Sequence, residues 1–153
     1  MPAIRETRSL SYSAQQMFDL VADVGSYPEF LPWVVATRVR DRTDSGLEAD
    51  MLVGFKAIRE KFTSHVELDA PGSVRVHYLD GPLRDLDNLW VFTPREDGGC
   101  DLEFSVDFSF KNMMFEALAG QYIDRAFRKM VAAFEQRAEE LYGKSNSSAQ
   151  SVA

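Results

Sequence analysis

Between residues 101 and 110 the apolar side chains of Leu102, Phe104, Val106, Phe108 and Phe110 alternate with Asp101, Glu103, Ser105, Asp107 and Ser109. A period of two puts every second side chain on one face, so this segment predicts a strand with one buried side. The spacing then becomes helical, and Phe115, Leu118, Tyr122, Ala126, Met130, Phe134, Ala138 and Leu141 form one stripe within Met113–Tyr142. A helix over that span would run about 45 Å at roughly 1.5 Å per residue, long for a globular domain. It could lie across the whole concave face of a curved sheet. Such a pair either fills with side chains or encloses a cavity.

Upstream, residues 3–11 predict a strand of mixed polarity, and Ser13 to Gln16 have the spacing of a capping box. Met17, Leu20, Val21 and Val24 give the following helix its apolar stripe, with Gly25 placed to end it. The segment Tyr27-Pro28-Glu29-Phe30-Leu31-Pro32-Trp33 reads as a stiff loop, because its two prolines restrict the backbone. Strands are expected near 34–42, 47–56, 59–68, 74–79 and 86–93 before the one at 101–110, separated by Asp44-Ser45-Gly46, Pro71-Gly72, Asp80-Gly81-Pro82 and Asp97-Gly98-Gly99. Short connections of this kind predict an antiparallel meander.

Matching the apolar faces sets the hairpin registers, since a slip of one residue would turn the whole apolar set outward. Leu68 falls opposite Val74 and Val66 opposite Val76, which puts Glu67 against Arg75 and His65 against His77 on the outer face. Phe92 opposite Leu102 sets Trp90 beside Phe104, an aromatic pair. The element order predicts an α+β domain with the helices gathered on one face of the sheet. Gly143 stops the final helix, and the Ser-rich residues 144–153 have little to bury and predict a disordered tail.

Charge narrows the partners. The balance is −7, from 17 Lys+Arg against 24 Asp+Glu, which disfavours direct nucleic-acid binding and strong attachment to an anionic membrane. The one cysteine, Cys100, has no intrachain partner, no apolar run reaches the roughly 20 residues of a membrane span, and MPAIRETRSL lacks signal or transit features. The expectation is a cytoplasmic placement that allows transient membrane contact and a position peripheral to the inner membrane. Catalytic chemistry is thin: no nucleophile–base pair or phosphate-cradling glycine motif stands out. Asp101, Glu103 and Asp107 read as a solvated strand face, and Arg125, Arg128 and Lys129 as a solvated helix face. His65 and His77 would give a metal only two nitrogen ligands where zinc normally takes three or four. Gly120, inside the long helix, is read as a close approach to the short helix.

Several segments together resemble the coenzyme Q-binding START-like family, also described as polyketide cyclase/dehydrase-like and including bacterial ribosome-association toxin A proteins. They are Asp23-Val24-Gly25-Ser26-Tyr27-Pro28-Glu29-Phe30-Leu31-Pro32-Trp33, Val53-Gly54-Phe55, Glu60-Lys61-Phe62-Thr63-Ser64, Gly81-Pro82-Leu83 and Met130-Val131-Ala132-Ala133-Phe134. Gly25 and Val34 stand where members often carry Glu and Cys. The resemblance implies a helix-grip fold over residues 1–143, with a seven-stranded antiparallel curved sheet around the C-terminal helix and an apolar cavity for a lipid such as ubiquinone. It leaves three tasks open. One is a non-catalytic quinone carrier or chaperone supporting respiratory electron transfer, with the quinone as bound ligand rather than cofactor. The second is a ribosome-directed toxin that blocks subunit association. The third is a polyketide cyclase or aromatase.

With that resemblance, Trp33 is a candidate at the cavity mouth, and Phe55, Phe62, Tyr78, Trp90 and Phe104 on the strands, with Phe115, Leu118 and Tyr122 on the helix, are candidates for its lining. Each has an ordinary reading beside it: Trp33 as a cap on the core, the aromatics as solid packing. Ser64 and Tyr122 put hydroxyls on otherwise apolar inward positions, where a quinone carbonyl, a backbone carbonyl or a water would each serve as partner.

Overall fold

A computed structural model describes residues 3–55 and 57–143; the predicted tail at 144–153 and the Phe55 side chain lie outside the described residues. Strands β1 (Ala3–Leu10), β2 (Val34–Thr43), β3 (Gly46–Phe55), β4 (Ile58–Asp69), β5 (Ser73–Asp80), β6 (Leu83–Pro94) and β7 (Cys100–Phe110) form one antiparallel sheet. Its order is β1-β7-β6-β5-β4-β3-β2, a meander with the first strand added beside the last. Helices α1 (Ala14–Ala22) and α2 (Met113–Tyr142) pack on its concave side. This is the helix-grip arrangement.

The registers follow the apolar faces. Leu68 pairs with Val74, Val66 with Val76, and His65 with His77; Trp90 pairs with Phe104 and Phe92 with Leu102. The Trp90 and Phe104 rings lie edge to face, 4.7 Å between centroids. Outside, the His65 and His77 rings stack 6.3 Å apart, and His77 Nε2 is 2.9 Å from Glu67 Oε1.

Helix ends show how local chemistry sets boundaries. The Ser13 box forms in both directions, Gln16 N donating to Ser13 Oγ at 3.0 Å and Ser13 N to Gln16 Oε1 at 2.9 Å. Helix α1 nevertheless stops at Ala22 rather than at Gly25, and Val24–Glu29 tightens into a 3-10 turn that includes Pro28. Proline's fixed φ lies within the range of a 3-10 turn, so Pro28, next to last in this turn, is accommodated in it rather than excluding it. Asn112 caps α2 through Phe115 N at 2.7 Å, and Gly143 ends it with φ 91°, its N–H donating to Glu139 O. Strand β6 starts earlier than predicted, at Leu83, because the Tyr78 hydroxyl both donates to Leu83 O (3.0 Å) and accepts from Leu83 N (2.9 Å).

The buried face of α2 overlaps the predicted stripe, with Phe115, Tyr122, Ala126 and Met130 packed partly buried against the core, but its centre is rotated from it. Ala119, Ile123, Val131, Phe134 and Ala138 face inward, whereas Leu118 is 60% exposed and Leu141 is exposed too. The first turns of α2 carry apolar side chains on more than one side, so spacing alone does not select the inner one. Phe134 anchors the helix, its ring 4.9 Å from Trp90, 5.3 Å from Tyr27 and 5.0 Å from Phe30. Gly120 faces Phe110 of β7, not the short helix, and an added Cβ would meet that ring at an ordinary 3.6 Å.

Cys100 is fully buried, and burial pushes its thiol up to about 11. Its raised value makes the neutral thiol the folded form, so this contribution to stability is full below the ordinary cysteine range and is lost as pH rises from there through about 11. The thiol should resist alkylation at pH 8 in the native protein and react fully in denaturant. Fast native labelling followed by mass spectrometry would show the site to be open.

Candidate functional site

The concave face of β3–β6 does not close onto the middle of α2. Between them lies a cavity of about 130 Å³, far above the roughly 10–15 Å³ that one water needs and of the order of the ~150 Å³ engineered apolar cavities that take up benzene. The local cause is side-chain size. Ala49 and Ser64 are register partners at the sheet floor, and Ala126 faces the space from α2, so small groups stand opposite one another. Large rings rim the gap: Trp90 and Phe134, then Phe62 and Tyr78.

Trp33, Phe62, Tyr78, Trp90 and Tyr122 all line this cavity. Trp33 is 8% exposed; it forms a wall, with the lumen on one side and a surface groove beside Phe30, Lys129 and Arg137 on the other. Arg137 ties that wall to α2, its guanidinium donating to Glu29 at 2.6 Å and stacking 5.1 Å from the centre of the Phe30 ring.

Three candidates lie elsewhere. Phe104 is buried behind Trp90 and belongs to the solid core, because β7 runs past the edge of the cavity. Phe115 packs on Phe110, 6.0 Å between rings, beyond the cavity end. Leu118 points outward with Met113 and Met114, all exposed, a consequence of the rotated helix face. The Phe55 side chain lies outside the described residues.

Other lining residues escaped the sequence reading. Ile123 and Phe127 follow from the true helix face, and Tyr27 from the 3-10 turn. Asn88 had a signal: it interrupts an inward run between Leu86 and Trp90. Its amide is satisfied within the fold, Nδ2 donating to Ser105 O at 2.9 Å and Oδ1 accepting from Trp90 Nε1 at 3.1 Å. It thereby fixes the Trp90 ring.

The lining is apolar with few polar tips, and none of its described residues is Asp, Glu, Lys, Arg or His. Burial raises the Tyr27 phenol, with a smaller push from Asp23, and burial raises Tyr78 as well. Both remain neutral hydrogen-bonding groups around neutral pH. The arrangement can hold an apolar molecule and exclude water from it; among the described residues it presents no carboxylate, imidazole or amine for proton transfer.

A curved sheet gripping one long helix over an apolar cavity defines the helix-grip class of domain. The chain belongs to the START-like family described as polyketide cyclase/dehydrase and lipid transport, whose model matches residues 10–135. It is 37% identical over 142 residues to the ribosome association toxin RatA of Escherichia coli, covering 93% of this chain and 90% of that protein. It is 34% identical over 143 residues to the mitochondrial coenzyme Q-binding protein COQ10 homolog B of Xenopus laevis, covering 91% of this chain and 59% of that protein. The solution structure of the 18 kDa protein CC1736 from Caulobacter crescentus superimposes with a TM-score of 0.72 at 38% identity, covering 94% of this chain and all of that one. No described helix is long and apolar enough to cross a membrane.

Proposed function

We propose that the protein binds ubiquinone or a related polyprenyl lipid in the cavity between α2 and the sheet, and acts as a carrier or chaperone without chemistry of its own. One observation carries this reading: a ring-sized space walled by aromatic and aliphatic side chains with, among the described residues, no ionisable group other than phenols. Apolar burial is worth about 0.8 kcal/mol per methylene, so a ring and its methyl groups buried there would bind usefully while the tail stays outside. Brief membrane contact belongs to the same reading, and the exposed Met113, Met114 and Leu118 at the start of α2 offer apolar side chains for it. Similarity to the coenzyme Q-binding relative supports the ligand class. Solvent extraction of the purified protein followed by mass spectrometry tests it: a quinone recovered in stoichiometric amount is expected, and repeated lipid-free preparations that also fail to take up ubiquinone would refute it.

Replacing the wall residue should have a defined effect. Trp33→Leu keeps an apolar wall but removes the ring, and should weaken ubiquinone binding by about 1–3 kcal/mol. Equal affinity in a calorimetric titration, at matched thermal stability, would take Trp33 out of the site.

Similarity to the ribosome association toxin over 93% of the chain favours a second reading, in which the protein docks on a ribosomal subunit. The net charge of −7 makes ribosomal protein a better docking partner than RNA phosphate. Co-sedimentation with isolated subunits, with and without bound lipid, separates the two readings. The cyclase reading has less support, because the described lining supplies no carboxylate, imidazole or amine to move a proton.

A further inference from the structure

The polar tips around the cavity are not equivalent. Tyr27 Oη donates to Val21 O at 2.5 Å, Tyr78 Oη both donates to and accepts from Leu83, and Asn88 is engaged at both ends of its amide. Tyr122 has an interaction partner of its own as well. The Ser64 hydroxyl lines the same space and has no partner among the described residues. It sits on β4 at the cavity floor, between Ala49 on β3 and Tyr78 on β5, within reach of a molecule that fills the space against the sheet.

We propose that Ser64 is the specificity-determining residue of this cavity, donating a hydrogen bond from Oγ to an acceptor oxygen on a neutral, mostly apolar ring. The inference rests on the cavity being the ligand site and adds which chemistry that site selects. Two physical arguments carry it. An ionised carboxylate or phosphate buried here would find no cation among the described lining residues, a heavy penalty that disfavours fatty-acid anions and phospholipid headgroups. A pure hydrocarbon would displace water from Ser64 without replacing its hydrogen bond, which also costs affinity. A ring bearing a carbonyl avoids both costs.

The test compares two rings of one shape, duroquinone and durene (tetramethyl-benzoquinone and tetramethyl-benzene), titrated by calorimetry into the full chain. Wild type should bind duroquinone about five- to tenfold more tightly than durene. Ser64→Ala should lose that preference by weakening duroquinone alone, and should melt no lower than wild type without ligand. Ser64→Cys, similar in size but a weak donor, is expected to lose most of the preference too and serves if the alanine variant fails to fold. An undiminished preference in both variants would overturn the role of Ser64 and leave the cavity as a binding site. Failure of wild type to bind either ring would overturn the cavity reading and this inference together.

Discussion

Phe104→Ala should destabilise the domain by about 3–5 kcal/mol, the range for emptying a buried aromatic position. The ring is 2% exposed and lies edge to face with Trp90 across the β6–β7 pair. Trp90 in turn supports Phe134, the anchor of α2. The vacated space is walled by strands on both sides, which limits collapse and keeps the penalty high. Domains of this kind have only about 5–15 kcal/mol in hand, so the variant should melt far below wild type. Chemical denaturation checks it; a loss under about 1 kcal/mol would show that β7 packs differently. Phe104 does not line the cavity, so any ligand affinity that survives in the folded fraction should match wild type.

Ala49→Phe should produce the opposite pattern, weakening ubiquinone binding about 100-fold or more, about 2.7 kcal/mol, with little loss of stability. Ala49 is buried at the cavity floor beside Ser64. A phenyl ring there would occupy the volume a ligand needs, and aromatic side chains suit a pleated strand. Added apolar packing offsets the cost of overfilling, normally about 1–3 kcal/mol in a core that is already full. Paired measurements of melting temperature and ubiquinone affinity would test this. Unchanged affinity would place the ligand elsewhere, with the outer groove beside Trp33 and Lys129 the first place to look.

The two variants differ because one position belongs to filled core and the other to unfilled core, a distinction that strand periodicity does not carry. Phe104 and Phe62 read alike along the chain, each an inward aromatic on an alternating strand. Phe62 reaches the lumen because β4 lies over the gap, and Phe104 does not because β7 lies beside it. Leu118 departs from its expected inward position for a related reason. Met113, Met114 and Leu118 make the first turns of α2 apolar on the outside as well as the inside. Asn88 was legible in principle, as a polar residue in an inward run; what it bonds to was not.

By itself the sequence determined the alternation of faces, the registers of the central hairpins, the Ser13 cap and the Gly143 stop, because these depend on neighbours along one strand, across one hairpin or within one helical turn. It also carried the family, through the segment from Asp23 to Trp33 and its companions. The tertiary structure alone decided which face of α2 turns inward, where β6 begins, and that small residues on β3, β4 and α2 meet at one place. A cavity is a difference between the space the backbone encloses and the side-chain volume sent into it, and that sum is taken over residues distant in the chain.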